Sequence, residues 1–307
     1  MPSAAWPTGL LTPLLTPFRD DELDLEAFRR LLDRQVRAGV AAVVLAGGSG
    51  EFGLLSGQER MTLTATAAEH LGGRLPFIVQ TGAPSTREAI ALSRHAASAG
   101  ALGVMVASPF GEPLTWRERR RFYDDVHDAV GLPIMIYNTP PAGILTLAQI
   151  DALAGLERVT AVKDSSGDVT LDGDLLAWGA ERAFSVYLGR DSLTPLAGAY
   201  GAAGVLVGTG NVVPEALIQV FARAREGGGL DPAWPALRAF LRFMEESSNY
   251  YALCKVALAL DGLDLGPVRA PFLMPDEGAD ELRALAGHLE RVAAAFGWAQ
   301  AVPPAAA

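Results

Sequence analysis

The chain has 307 residues, half of them hydrophobic, and a formal net charge of −10 at pH 7. That length suits one large domain or two average ones, with enough apolar material for a sizeable core. The acidic balance, with no basic block, argues against nucleic acid or an anionic membrane surface as partner, and no stretch has the length of a transmembrane helix. The single cysteine, Cys254, permits no internal disulfide and suits a reducing compartment. Residues 1–9 lack the basic start and apolar run of a signal peptide, so a soluble cytoplasmic protein is expected.

In chain order, short apolar runs rich in β-formers alternate with amphipathic segments, eight times over. The runs predict strands over 10–18, 41–46, 76–81, 102–107, 133–137, 159–163, 184–188 and 204–207. Helices are predicted between and after them, over 24–38, 57–71, 85–99, 116–130, 147–153, 169–178, 193–200 and 215–225. Four open with a capping-box pattern: Ser56 with Glu59, Ser85 with Glu88, Thr115 with Glu118 and Thr146 with Gln149. Gly39, Gly72, Gly100 and Gly131 fall where helices should end. The acidic run Asp20-Asp21-Glu22 reads as a solvated turn before the first helix. Eight strand–helix units in a row predict an α/β fold, the closed (β/α)8 TIM barrel. The rival, an open doubly wound sheet, usually carries a Gly-rich phosphate loop after its first strand, and none follows Phe18.

Gly227-Gly228-Gly229 and Pro232 make a turn-rich break, after which helices are predicted over 233–246, 250–261 and 280–296. The division is therefore a barrel over 1–226 and a three-helix C-terminal appendage over 227–307, too small for its own core and part of the same folding unit. The Ala/Pro-rich tail 299–307 is expected to fray.

In such a barrel the chemistry gathers at the C-terminal ends of the strands. The sixth strand ends in Lys163, one of only two lysines against 23 arginines. A desolvated ammonium can lose its proton and become a nucleophile, whereas a guanidinium stays protonated. The chain thus spends lysine where arginine would not serve. By the period-2 rule Val159, Ala161 and Lys163 share a face, and Met135 and Tyr137 share one on the neighbouring strand. That sets an amine beside a phenol able to protonate a carbonyl oxygen and a departing hydroxide. After the second strand, the Gly47–Gly50 loop offers backbone N–H groups beside the Ser49 hydroxyl, a donor set suited to a carboxylate. Together these groups predict a 2-oxo acid substrate held at Gly48 and Ser49 and attacked by Lys163. Gly189, Arg190 and Asp191 at the seventh strand end, with Val207 and Gly208 at the eighth, are further candidates for substrate contacts. Arg190 either reaches the substrate or turns outward into an ion pair. Glu51, after the glycine turn, is expected to accept backbone N–H bonds, and Asp164 and Asp168 to point away from Lys163. His70, His95, His127 and His288 all fall on predicted helices, so neither a metal site nor a cofactor is expected.

These residues resemble the pyruvate-dependent class I aldolases and dehydratases typified by dihydrodipicolinate synthase and N-acetylneuraminate lyase. The segments that carry the resemblance are Leu14-Leu15-Thr16-Pro17-Phe18, Gly47-Gly48-Ser49-Gly50-Glu51, Tyr137-Asn138-Thr139-Pro140, Val162-Lys163-Asp164-Ser165-Ser166-Gly167-Asp168 and Gly189-Arg190-Asp191. Cys254-Lys255-Val256-Ala257-Leu258 and Arg269-Ala270-Pro271 match the family's C-terminal part. The resemblance implies a homo-oligomer, tetramer or dimer, with Lys163 as Schiff-base lysine, Tyr137 as proton shuttle and Lys255 in a structural role. Departures from the pattern redirect the specificity. Dihydrodipicolinate synthase carries adjacent threonines where this chain has Gly48-Ser49, and a partner-subunit tyrosine where it has Gly111. It also has an arginine soon after Tyr-Asn-x-Pro, where this chain reads Pro141-Ala142-Gly143. The strand-eight serine of N-acetylneuraminate lyase is Gly208 here. The loop Gly47–Phe52 instead looks like branches acting on 2-keto-3-deoxy sugar acids. The expected function is a Schiff-base lyase, a pyruvate-releasing aldolase for such an acid. The alternatives are a dehydratase with the same imine chemistry, a true 4-hydroxy-tetrahydrodipicolinate synthase, and a non-catalytic binding barrel.

Overall fold

A computed structural model of the chain describes residues 6–298. The tail 299–307, expected to fray, lies outside the described residues, as does most of the segment read for a signal peptide. Eight parallel strands close into a barrel: β1 Gly9–Pro13, β2 Ala42–Leu45, β3 Phe77–Gln80, β4 Gly103–Ala107, β5 Ile134–Asn138, β6 Val159–Asp164, β7 Ser185–Leu188 and β8 Gly204–Leu206. Each strand pairs with the next, and β8 pairs with β1. The helices between and after them are α1 Leu25–Ala38, α2 Gly57–Leu71, α3 Thr86–Ser98, α4 Trp116–Ala129, α5 Leu147–Ala154, α6 Val169–Arg182, α7 Thr194–Ala199 and α8 Pro214–Arg225. Three more follow: α9 Trp234–Glu246, α10 Tyr250–Leu260 and α11 Asp280–Phe296. Among the described residues no helix is long and apolar enough to cross a membrane.

Strand periodicity divides the core into two layers. Leu11, Val44, Ile78, Met105, Met135, Ala161, Tyr187 and Leu206 fill the barrel interior. Their neighbours Leu10, Val43, Val79, Val104, Ile136, Val162, Val186 and Val205 face outward into the layer shared with the helices. Trp6 belongs to the inner cluster and donates to Thr160 at 2.9 Å. A Cβ on Gly103 would fall 2.5 Å from its ring, so a glycine in β4 makes room for that indole.

Several local expectations are corrected. The first strand stops at Pro13 rather than reaching Phe18, because Pro13 and Pro17 have no N–H to continue a ladder. Phe18–Arg19 and Glu22–Leu23 then form a small antiparallel hairpin, with Asp20 and Asp21 at φ 53° and 65° as its turn. Three capping boxes form as predicted, at Ser56, Thr115 and Thr146. At Ser85 only the forward half exists, from Glu88 N–H to the serine hydroxyl. Gly39 and Gly72 cap their helices in the left-handed region, whereas α4 ends on extended Val130 with no glycine cap. α6 runs past the predicted end at 178 to Arg182, where Ala183 takes the left-handed position at φ 52°.

Candidate active site

β5 and β6 are in register, with Met135 opposite Ala161 and Tyr137 opposite Lys163. The lysine and the tyrosine therefore stand side by side at the C-terminal mouth of the barrel, 5% and 7% exposed. The Lys163 Nζ lies 4.5 Å from the centroid of the Tyr137 ring. Among the described residues no carboxylate pairs with this amine, because the two that follow it are engaged elsewhere. Asp164 accepts from Asn138 Nδ2 at 2.6 Å and from the Ser166 N–H and hydroxyl. Asp168 caps α6 through the N–H groups of Thr170 and Leu171. Asn138 also holds Leu145 through both its amide groups, so it locks the end of β5 to β6 and to the following loop. Behind Asp164 sits Asp172, whose carboxyl is raised by burial and then by Asp164 itself; its Oδ1 has no partner.

Glycines at the strand ends clear space for these side chains. A Cβ on Gly189 would fall 2.1 Å from Ser165 Oγ and 2.9 Å from Lys163 Cε, so the lysine extends across a position that admits no side chain. A Cβ on Gly208 would meet Ser49 Oγ and the Tyr250 hydroxyl, both at 2.6 Å. One on Gly48 would lie 3.1 Å from the Tyr137 hydroxyl. The glycine loop is narrower as a donor set than its sequence suggests. Gly50 and Phe52 donate to the Gly47 carbonyl and Glu51 donates to that of Gly48. Among the described residues this leaves the N–H groups of Gly48 and Ser49 unengaged, next to the Ser49 hydroxyl. Glu51 ends the turn at φ 58° and is buried. It accepts one backbone N–H, from Arg269, and otherwise forms a 2.9 Å ion pair with Lys255 of α10, both side chains 0% exposed.

The mouth opens into a cavity of about 450 Å³ lined by Gly48, Ser49, Tyr137, Lys163, Gly189, Arg190, Asp191 and Gly208. Val207 is the exception among the residues predicted to contact substrate. It is buried in the layer between strands and helices, because Leu206 takes the inward face and the pleat turns its neighbour outward. Asp191 lines the cavity but is turned into the protein, accepting from the Thr209 N–H and hydroxyl and from the Tyr250 hydroxyl at 3.1 Å. Burial pushes its carboxyl up to about 6, against the Thr209 hydrogen bond. Arg190 combines both readings of its direction. It lines the cavity, and its guanidinium lies 3.8 Å from Glu245 of α9, which also accepts from the Ser192 N–H and hydroxyl.

The rest of the lining was not anticipated: Glu245, Ser248, Tyr250 and Tyr251 from α9, α10 and the turn between them, with Phe272, Leu206, Ser165 and Pro13. Tyr250 and Tyr251 stack edge-on at 5.8 Å, and Phe272 closes on Tyr251 at 5.6 Å. Burial and the adjacent Asp191 carboxylate raise the Tyr250 phenol well above its ordinary value. A tyrosine pair just after Ser-Ser-Asn was the one visible signal, and nothing local ties it to Lys163 and Tyr137, more than 80 residues upstream.

Comparison with known proteins places this arrangement. The family model for the dihydrodipicolinate synthetase family matches residues 6–288. The chain is 35% identical over 294 residues to an uncharacterized DapA-like lyase of Halobacterium salinarum, covering 92% of each. It is 34% identical over 290 residues to a 4-hydroxy-tetrahydrodipicolinate synthase of Hyphomonas neptunium, covering 91% of this chain and 98% of that one. Among solved structures, it superposes with a TM-score of 0.85 on YagE of Escherichia coli K12, a prophage protein of the dihydrodipicolinic acid synthase family crystallised with pyruvate. The identity there is 28%, over 93% of this chain and 98% of the other. Dihydrodipicolinate synthase of Aquifex aeolicus gives a TM-score of 0.83 at 27% identity, over 92% and 97%. With a match over nearly its whole length and a barrel of the same build, this chain belongs to the dihydrodipicolinate synthetase family, a family of pyruvate-dependent lyases.

Proposed function

We propose that this lyase cleaves a 2-keto-3-deoxy sugar acid to pyruvate and an aldehyde through a Schiff base on Lys163. The N–H groups of Gly48 and Ser49 and the Ser49 hydroxyl hold the substrate carboxylate, which fixes the C2 ketone over the lysine amine. The amine adds to C2, and Tyr137 protonates the resulting carbinolamine hydroxyl, which leaves as water. The protonated imine then draws in the C3–C4 electron pair as the C4 hydroxyl gives its proton to water in the cavity, which returns a proton at C3 once the aldehyde has left. The aldehyde departs and leaves the enamine of pyruvate. Protonation at C3 and hydrolysis of the imine return the free lysine. The family likeness supports a homo-oligomer, tetramer or dimer, as part of the same proposal.

The observation that carries the substrate class is the distal half of the cavity. Its cation, Arg190, already faces the Glu245 carboxylate, the Asp191 carboxylate is turned into the protein, and the remaining polar groups are the hydroxyls of Ser165, Ser248, Tyr250 and Tyr251. Such a surface matches a chain of hydroxyls better than a second carboxylate. The arginine nearest the segment after Tyr137-Asn138-Thr139-Pro140 is Arg119, which donates to the Gly143 carbonyl at 3.2 Å and does not line the cavity. This weighs against 4-hydroxy-tetrahydrodipicolinate synthase activity, as do the missing side chains at Gly48 and Gly111. Borohydride reduction in the presence of pyruvate should add the corresponding mass at Lys163 and nowhere else, and Lys163→Ala should abolish it. Incubation with a panel of 2-keto-3-deoxy acids should release pyruvate. Loss of water without pyruvate would assign a dehydratase instead, and absence of trapping would leave only a binding barrel.

A further inference from the structure

We propose that the Tyr251 hydroxyl, brought into the barrel mouth by α10 of the same chain, exchanges protons with Tyr137 during imine formation; this rests on the Schiff-base reading above. The two hydroxyls flank one point. A Cβ on Gly48 would lie 3.1 Å from that of Tyr137 and 3.7 Å from that of Tyr251. The Tyr251 ring is held edge-on between Tyr250 and Phe272, which fixes where its oxygen points. Other hydroxyls in the cavity are less suited to the task. Tyr250 is committed to the Asp191 carboxylate, and Ser165 is tucked against the Gly189 position. Among the described residues the Tyr251 hydroxyl has no hydrogen-bond partner and lines the cavity beside Tyr137. Burial, followed by the neighbouring Tyr137, pushes the Tyr251 phenol up to about 12, so it carries its proton at neutral pH.

The proton balance is simple. Tyr137 gives its proton to the carbinolamine hydroxyl, which leaves as water while the nitrogen lone pair forms the C=N bond. The Tyr137 phenolate then takes the proton of Tyr251 through a water seated in the open space at Gly48, and solvent in the cavity reprotonates Tyr251. One proton from solvent is consumed per imine formed. Because Tyr251 acts through Tyr137 in imine formation, it is a relay residue in that step, and pyruvate, which lacks the distal hydroxyls of a sugar acid, reads this role alone. A glycine at 48 leaves the space between the two phenols open.

The test is the rate of imine formation with pyruvate, read by quenching with borohydride at timed intervals in the full-length protein. Tyr251→Phe should slow trapping about ten- to a hundred-fold, less than the roughly 10²–10⁴-fold of a lost acid that protonates substrate directly, while the final extent of trapping and the KM stay within about twofold of wild type. Gly48→Ser in the Tyr251→Phe background returns a hydroxyl beside Tyr137 and should recover part of the rate. A Tyr251→Phe protein that traps pyruvate at the wild-type rate overturns the relay while leaving the Schiff base intact; wild-type protein that fails to trap overturns the Schiff base itself. Should Tyr251→Phe lose its folding transition, Gly48→Ala makes the same test by placing a methyl between the phenols. Unchanged trapping kinetics in that variant also overturn the relay.

Discussion

Removing the Lys255 amine should cost more than any surface change in this protein, because it strands a buried charge. Lys255 on α10 donates to Glu51 Oε1 at 2.9 Å and to the Pro267 carbonyl at 2.7 Å, and neither charged side chain is exposed. In Lys255→Met the Glu51 carboxylate keeps the Arg269 N–H and loses its counter-ion. Breaking one side of a buried pair costs about 3–5 kcal/mol, whereas removing both charges is often close to neutral. Lys255→Met combined with Glu51→Gln should therefore recover most of the loss, since a glutamine oxygen still accepts from Arg269. Urea unfolding followed by tryptophan fluorescence, at one fixed protein concentration, measures all three variants. Because Glu51 closes the Gly48–Ser49 turn, the single variant should also trap pyruvate less tightly. A single variant within about 1 kcal/mol of wild type, or costs that simply add in the double variant, would refute the view that this pair ties α10 to the loop.

Three further outcomes are expected. Gly189→Ala forces a methyl into Ser165 Oγ and Lys163 Cε; overpacking of this kind costs about 1–3 kcal/mol, and pyruvate trapping should fall with it, so normal trapping would remove the clearance argument. Tyr137→Phe should lower kcat about 10²–10⁴-fold with the lysine still slowly trapped, and a loss below tenfold counts against the phenol as acid. The third concerns pH. Asp191 is pushed up to about 6 by burial, and Asp172 is raised by burial beside Asp164, each above the ordinary carboxylate range. Between its unfolded and folded values such an acid holds, in the folded chain, a proton that the unfolded chain has released. Stability therefore falls as pH rises through that window. Asp172→Asn keeps the neutral form at every pH, so its stability should exceed that of wild type increasingly as pH rises. Parallel profiles for the two proteins would contradict the assignment.

The barrel was legible because its signals are local. Apolar runs of strand length, helix caps at Ser56, Thr115 and Thr146, and glycines at 39 and 72 each report a neighbourhood of a few residues. Lys163 and Tyr137 could be paired because side-chain direction alternates along a strand and consecutive strands of a barrel are neighbours. Where the reading rested on parity at an unanchored strand end it went astray. Val207 sits one residue past Leu206 and so faces the helices, and the first strand was drawn through two prolines. The contribution of α9 and α10 was hidden for a different reason. Tyr250 and Tyr251 are carried to the mouth by α10, which is fastened to the glycine loop by Lys255 and Glu51, a contact spanning 204 residues. No window along the chain contains both halves of that contact.

The same fastening bears on why the strand ends are glycine. At 48, 189 and 208 the space a side chain would fill is taken by functional atoms from elsewhere: the Tyr137 and Tyr251 hydroxyls, the stem of Lys163, and Ser49 with Tyr250. Two of these three positions are cleared for tyrosines that arrive from α10. Where a barrel strand supplies only backbone, the helix outside the barrel supplies the hydroxyl. It follows that restoring a side chain at Gly208 would not simply add a contact, because even a methyl there displaces Ser49 and Tyr250 together. Gly208→Ala should therefore weaken carboxylate binding through Ser49 and loosen α10 through Tyr250. Both losses are readable at once, as a raised KM for pyruvate trapping and a lower urea midpoint. A variant that shifts neither would mean that the mouth has slack the geometry does not contain.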